Sequence, residues 1–441
     1  VTLAAFDFTD RVRPVVHLGI GDSRSPSGQA TWDVARWDTA ADKWAGVEPT
    51  WLDITCDTQS FHCEYGRART IDRFVPGMAR VTVDNATGWA DPNVSTTPGV
   101  LTVRPGRAIR MGVIHDVYGY RCLFRGFIDA MTPTYDPFNP DDVELICVDA
   151  LAEVNRAKMV PLPAPVGAGE TIPARITRVL DLIGWPVVKR DLAASSDTLI
   201  AHDLGGQVAD LLGQAADSGG GAVFGDTDGN ITFRPRDWQT FMPGAAPDGT
   251  IGNVDPDDVC PVNWERPFDR ADISTRVIIG RDIETAQIFD DEPAQELYGI
   301  EPFERTDLLT ESDLILSYLG IRNLKVRGAG SAPRIRTVTL SAATADNAAD
   351  LMTTVDVFAP SRYRCRLHYP RGTVFDVEHF ATAVAHDVTA SAWTLDLNLD
   401  LAAPYAISGG RWDQAVWDQT TWSAVAELRT EAIALLEEMT A

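Results

Sequence analysis

The sequence predicts a mainly β, α+β fold divided into several domains, and three observations carry that prediction. Apolar and polar residues alternate along many short stretches, the two-residue period of a half-buried strand. Helical spacing is confined to a few stretches, several of them closed by glycine. The chain has 441 residues, more than one hydrophobic core usually holds, so about two to four domains are expected.

The strand signal is strongest from Trp393 to Leu401. There Trp393, Leu395, Leu397, Leu399 and Leu401 take one face, and Thr394, Asp396, Asn398 and Asp400 form a wet, acidic one. Shorter alternating runs are ARVTVDN at 79–85, RCLFRGFIDAM at 121–131, DVELICVDA at 142–150 and NITFRPR at 230–236. The last of these follows GGAVFGD across Asp228-Gly229, a tight-turn dipeptide, so 220–236 reads as a hairpin. DTDGN at 226–230 also resembles the start of a calcium loop, but Ile231 stands where such a loop needs glycine.

Helices are few. Pro173 opens one in which Ile176, Val179, Leu180 and Ile183 share a face and Gly184 ends it. A second runs from about Leu204 to Asp217 on Val208, Leu211, Leu212 and Ala215, stopped by Gly219 to Gly221. Others are expected at 311–319, 343–355 and 423–439. In the last of these Val425, Leu428, Ala432, Leu435 and Met439 have coiled-coil spacing, which suits packing on the parent domain, a bundle, or a dock for another protein.

Turn-rich stretches at 160–169 and 243–258 divide the chain. The expected division is an extension over 1–51, a β domain over 52–155, a mixed α/β domain over 156–265, a second β domain with a helical insertion over 266–405, and a tail over 406–441.

Thirty-eight basic residues against 63 acidic ones give a net charge of −25, which argues against nucleic acid or an anionic membrane as the main partner. An acidic wall would also let DNA pass without sticking. No apolar run is long enough for a membrane helix, and the start lacks the order of a signal peptide, so a soluble, unexported product is expected. Six cysteines at 56, 63, 122, 147, 260 and 365 show no paired spacing and read as small core residues. Cys56, His62 and Cys63 could in principle bind a metal, but lack zinc-site spacing.

Three groups are candidate functional residues. WDVARWD at 32–38 and WDQAVWD at 412–418 match at five of seven positions, each followed by a further tryptophan. Trp32, Trp37, Trp44, Trp412, Trp417 and Trp422 could close intrachain sheets, anchor a subunit contact, or stack on a glycan. Arg362, Arg364 and Arg366 alternate on one strand face, where salt bridges within or between subunits fit better than nucleic acid. VVHLGIGDSRSPSG at 15–28 resembles a Gly-Asp-Ser esterase block, and Asp376 with His379 would complete a Ser23 triad. That esterase family's Gly-x-Asn-Asp block is missing, and no metal-helix or phosphate-loop motif occurs. No catalytic residue, metal or cofactor is expected.

The succession WLDITCDTQSFHCEYGR, RFVPGMARVTVDNATGWADPN, PGRAIRMGV, CLFRGFIDAMTP, VELICVDALAEV and FGDTDGNITFRPRDW resembles minor tail proteins of actinobacteria-infecting phages, and through them the tail-hub family of long-tailed phages. The resemblance covers most of 51–270. It implies two β-barrel-like tube domains, about 52–155 and 266–405, flanking a smaller α/β domain. Three such chains would supply six similar barrels, matching a threefold tail tip to a sixfold tube. The implied role is a structural hub of the virion tail tip, a homotrimer lining the path for DNA and tape measure. Implied partners are a distal tail protein, the tape-measure protein and host-recognition proteins. A carbohydrate-binding adhesin is the alternative, with the esterase behind it.

Overall fold

Alternation in the first part of the chain is realised as seven strands. They are β1 (Val12–Ile20), β2 (Thr50–Asp53), β3 (Thr58–Gly66), β4 (Val75–Asp84), β5 (Ala108–His115), β6 (Gly119–Thr134) and β7 (Asp142–Val148). The computed structural model describes residues 11–20, 49–90, 103–134, 142–241, 245–267, 273–281, 286–328, 335–343, 346–368, 374–402 and 404. The seven strands pair antiparallel in the order β3-β4-β7-β6-β5-β1-β2. In β7 the odd positions Val143, Leu145 and Cys147 are buried and the even ones half-exposed, as a two-residue period requires. Register shifts within β3–β4, β5–β6 and β6–β7 mark bulges, which bend and twist the sheet.

The central part is mixed. Its helices are α1 (Ala150–Val154), α2 (Ile172–Leu182) and α3 (Val208–Asp217). Its strands are β8 (Lys158–Met159), β9 (Glu170–Thr171), β10 (Arg190–Leu192), β11 (Thr198–Leu199), β12 (Gly206–Gln207), β13 (Ala222–Gly225) and β14 (Ile231–Arg234). Pro173 lies in the first turn of α2, and Ile176, Val179 and Leu180 face Leu211, Leu212 and Ala215 of α3 and Phe233 of β14 in one apolar cluster. The hairpin read at Asp228-Gly229 is β13–β14. Asp226 closes its turn, accepting from the backbone of Asp228 (3.0 Å) and Asn230 (2.8 Å) and from Thr232 Oγ1 (2.7 Å). Its carboxylate is thus committed to the turn rather than turned toward a calcium loop.

The last part returns to β structure. Its strands are β15 (Gly249–Gly252), β16 (Asn263–Glu265), β17 (Arg276–Ile279), β18 (Gln287–Asp290), β19 (Pro302–Arg305), β20 (Thr337–Ser341), β21 (Arg362–His368), β22 (Val374–Thr389) and β23 (Trp393–Leu401). Its helices are α4 (Glu292–Tyr298), α5 (Asp313–Arg327) and α6 (Asp346–Thr354). The stretch read as a separator at 243–258 carries β15, which pairs in parallel with β21. Strands β17, β18 and β19 form their own small sheet, packed on α5 through Val277, Ile279, Leu316 and Leu319.

Among the helices, α1 was not foreseen, and α5 and α4 also differ from expectation. α5 extends eight residues past the expected end at 319, because Gly320 is a packing site rather than a stop: a Cβ there would lie 2.1 Å from the Phe289 ring. Lys325 and Arg327 in its last turn suit the helix C-terminus. α4 was invisible to spacing because only Ala294 is buried in its seven residues; Asp291 caps it by accepting from Ala294 N at 3.1 Å.

The first and last parts share one thirteen-stranded sheet. Its path is β16-β20-β23-β22-β3-β4-β7-β6-β5-β1-β2, with β21 and β15 branching from β22. β22 makes the join. Along one edge its residues 374–380 pair with β21 and its residues 383–389 with β3, while β23 runs along the other edge. A bulge between Ala381 and Ala383 marks the change of partner. At that point Gly66 has φ +132°, and a Cβ on it would lie 2.3 Å from Ala383 Cα.

Two sequence expectations are corrected here. On β23 the apolar face is buried as read, but Asp400 of the polar face is buried too, its carboxylate accepting from Thr70 N at 2.9 Å. The turn after β3 covers that end of the strand. Of the cysteines, 63, 147 and 365 are core residues and 122 is half-buried, whereas Cys56 and Cys260 are exposed. Cys56 lies in a short turn outside the sheet, and His62 and Cys63 take opposite faces of β3, so the three do not converge on a metal.

Candidate functional site

The arginine stripe is a ladder of ion pairs within the chain. β21 and β22 run antiparallel, which sets Arg362 diagonal to Glu378 and Arg364 diagonal to Asp376. Arg362, 5% exposed, donates to Glu378 Oε2 at 2.6 Å and to the carbonyls of Ala245 (2.8 Å) and Ala246 (3.0 Å), and lies 3.9 Å over the Phe241 ring. Arg364 grips Asp376 with two bonds of 2.6 and 2.7 Å, and Arg366 pairs with Asp255. Arg364 holds the Asp376 carboxyl below its usual range, against a smaller opposing effect of burial. The rungs differ in weight because water screens the exposed ones. Arg362→Ala should cost about 3 kcal/mol, since Glu378 and two carbonyls lose their donor. Arg364→Ala should cost under about 1 kcal/mol. Urea unfolding of the two variants measures the contrast.

Asp376 and His379 do not form the pair an esterase needs. Asp376 is held by Arg364, while His379 is fully buried, its Nδ1 3.1 Å from Val377 O and its Nε2 accepting from Ile335 N at 3.2 Å. A separation of three on a strand puts two residues on opposite faces. Ser23, the six cassette tryptophans and the closing helix at 423–439 lie outside the described residues.

What the sequence reading missed is a junction where all three parts meet. Tyr65 stacks on Phe358 (5.0 Å between ring centroids), Phe358 on Phe224 (4.9 Å), and Phe74 packs against Phe224 (4.7 Å). Trp238 completes the set 6.1 Å from Phe224, and the Arg67 guanidinium lies 4.6 Å over Phe74. Beside them sits Asp149, 5% exposed, which caps α1 through Ala152 N (2.7 Å) and accepts from Gly77 N of β4 (2.7 Å).

Burial pushes the Asp149 carboxyl up to about 7, against the opposing pull of three backbone N–H groups. The folded chain therefore holds a proton that the unfolded chain releases near pH 4. The stabilisation is complete below that pH, is lost as pH rises to about 7, and is constant above. Asp149→Asn should abolish this component: the stability of the native chain minus that of the variant falls between pH 4 and 7, as urea titrations across that range will read.

No protein-family model matches the chain, and no curated protein matches it. Solved structures do, and the class they define is a tail-protein fold. A tail protein from Neisseria meningitidis superposes with a TM-score of 0.56 at 12% identity, covering 89% of this chain and 99% of that one. The 43 kDa tail protein of prophage MuSo2 from Shewanella oneidensis gives 0.51 at 11% identity, covering 81% and 95%. The chain thus has the mainly β, multidomain fold of these tail proteins, at an identity that speaks for the fold alone.

Proposed function

We propose that the chain is a structural component of a phage tail, the hub at its tip, and not an enzyme. The observation that carries this reading is the length of the match: nearly the whole of a tail protein is reproduced by nearly the whole of this chain. The sequence resemblance to minor tail proteins over most of 51–270 points the same way, and extends the proposal to an actinobacterial host. In this reading three copies close a ring. The β domains over 52–155 and 266–405, with the α/β domain 156–265 beside them, present six similar units to the tube above and three to the tip below.

Ring closure has a physical motive. β2 and β16 stand at the two ends of the described sheet path, and open strand edges recruit further strands unless paired or covered. The tryptophan cassettes and the outer side of the arginine ladder are the proposed subunit contacts. A distal tail protein, the tape-measure protein and host-recognition proteins are the proposed neighbours, in a virion tail whose acidic bore lets DNA slide past. A reconstruction of the assembled tail tip tests this, and three copies of the 48.0 kDa chain around the axis are expected. A single copy, or a ring of another order, sinks the proposal.

A further inference from the structure

We infer that an arginine stacked against aromatic rings on the first part of the sheet receives the acidic helix α4 of a neighbouring copy of this chain. The inference rests on the ring proposed above and supplies a contact for it.

The receiving side is built by strand register. β1 sets Gly19 opposite Trp51 and His17 opposite Arg110, so these residues share one face beside β2, an end of the sheet path. Gly19 has no side chain to stand between its neighbours, and the Arg110 guanidinium lies 4.4 Å from the centre of the Trp51 ring. The Tyr120 ring is 5.0 Å from the same group. It lies over Gly112, where a Cβ would come within 2.9 Å of it. Arg110 makes no ion pair and no hydrogen bond among the described residues; its Nε is enclosed, and its two terminal nitrogens are open. Asp53, the carboxylate on the same row, accepts from Thr55 N at 2.9 Å and does not pair with Arg110. Arg125, 5.1 Å from the Trp51 ring, sits against the β13–β14 turn and is no part of the open edge. A guanidinium stacked on rings keeps its N–H edge for a planar acceptor, and a carboxylate is the acceptor that fits it.

α4 carries that acceptor. Glu292, Pro293, Glu296 and Leu297 form one exposed face of the helix, away from its single buried residue, Ala294. Leu297 is 77% exposed, and Ile300 just beyond the helix is 56% exposed. Neither glutamate has an ion pair or a hydrogen bond among the described residues. Two unpaired carboxylates beside two bare aliphatic side chains thus match an unpaired guanidinium beside Trp51 and Tyr120. Within one chain these groups do not pair, so α4 must meet the Arg110 of another copy. First part against last part is a head-to-tail contact, the kind that closes rings. Copies with a net charge of −25 repel one another, and an arginine set against glutamates opposes that repulsion where they meet.

Sedimentation of the full chain over a concentration series, at low and at high salt, tests the inference. Self-association is expected at low salt and should weaken as salt screens the contact. Arg110→Glu should weaken it about tenfold or more, as should Glu292→Arg combined with Glu296→Arg. All three changes together restore opposite charges with their places exchanged, and should recover most of the association. Both glutamates are exposed, so their variant carries the test even if Arg110→Glu does not fold. A chain that stays monomeric throughout, as it would if the patch served a different protein, overturns the inference. So does an assembly that neither reversal weakens. Neither result alters the number of copies in a reconstructed tail tip, which decides the proposed ring by itself.

Discussion

Phe224→Ala is expected to lower the stability of the chain by about 3–5 kcal/mol, among the largest effects of any single truncation in it. The ring is 1% exposed and is touched from three directions, by Phe74, Phe358 and Trp238. These neighbours come from the first, last and central parts of the chain, so none can collapse into the vacated space without dragging its own strand or loop. A cavity that cannot relax carries the full penalty, and aromatic contacts add to the area lost. Calorimetry should show a lower melting temperature with one transition retained, because the same ring stabilises all three parts. If the variant instead melts in separate steps with the last step unmoved, the junction does not couple the parts as described.

Gly66→Ala is expected to be nearly as damaging, at roughly 2–6 kcal/mol from overpacking and backbone strain together. The new methyl group would meet Ala383 Cα at 2.3 Å and Thr382 O at 2.4 Å, where β22 changes partner from β21 to β3, and φ is +132°. The neighbours are backbone atoms held by pairing on both sides, so they cannot rotate away. Gly119→Ala is the control: its φ is +68° with open space around it, so it reports strain without collision, about 1 kcal/mol. Denaturant midpoints for the two variants should therefore separate clearly. Equal losses would mean that conformational strain, and not the close approach of β3 to β22, governs the position.

Local features were legible in the sequence because each is written in neighbouring residues. β23 is a nine-residue alternation whose apolar face is buried as read, α2 carries a proline start and a glycine stop, and the β13–β14 hairpin carries its turn dipeptide. The junction was not legible. Tyr65, Phe74, Phe224, Trp238 and Phe358 sit in no common pattern, and long-range packing, including the pairing of β3 with a strand more than 300 residues later, brings their parts together. The polar face of β23 shows the same limit: alternation says which way Asp400 points, not that the turn holding Thr70 will cover it. One signal was present and unused. Asp376 and His379 differ by three positions in a stretch that alternates, and that odd spacing alone separates them.

The continuity of β22 bears on how the molecule can deform. A single ribbon zipped to both halves, with seven register pairs to β3 on the far side of its bulge, leaves no hinge between them. Swinging one half away would tear those rungs together rather than one at a time. In the proposed ring of three copies, dilation to let cargo through would then have to occur where neighbours abut, each chain shifting as a stiff stave in a cask.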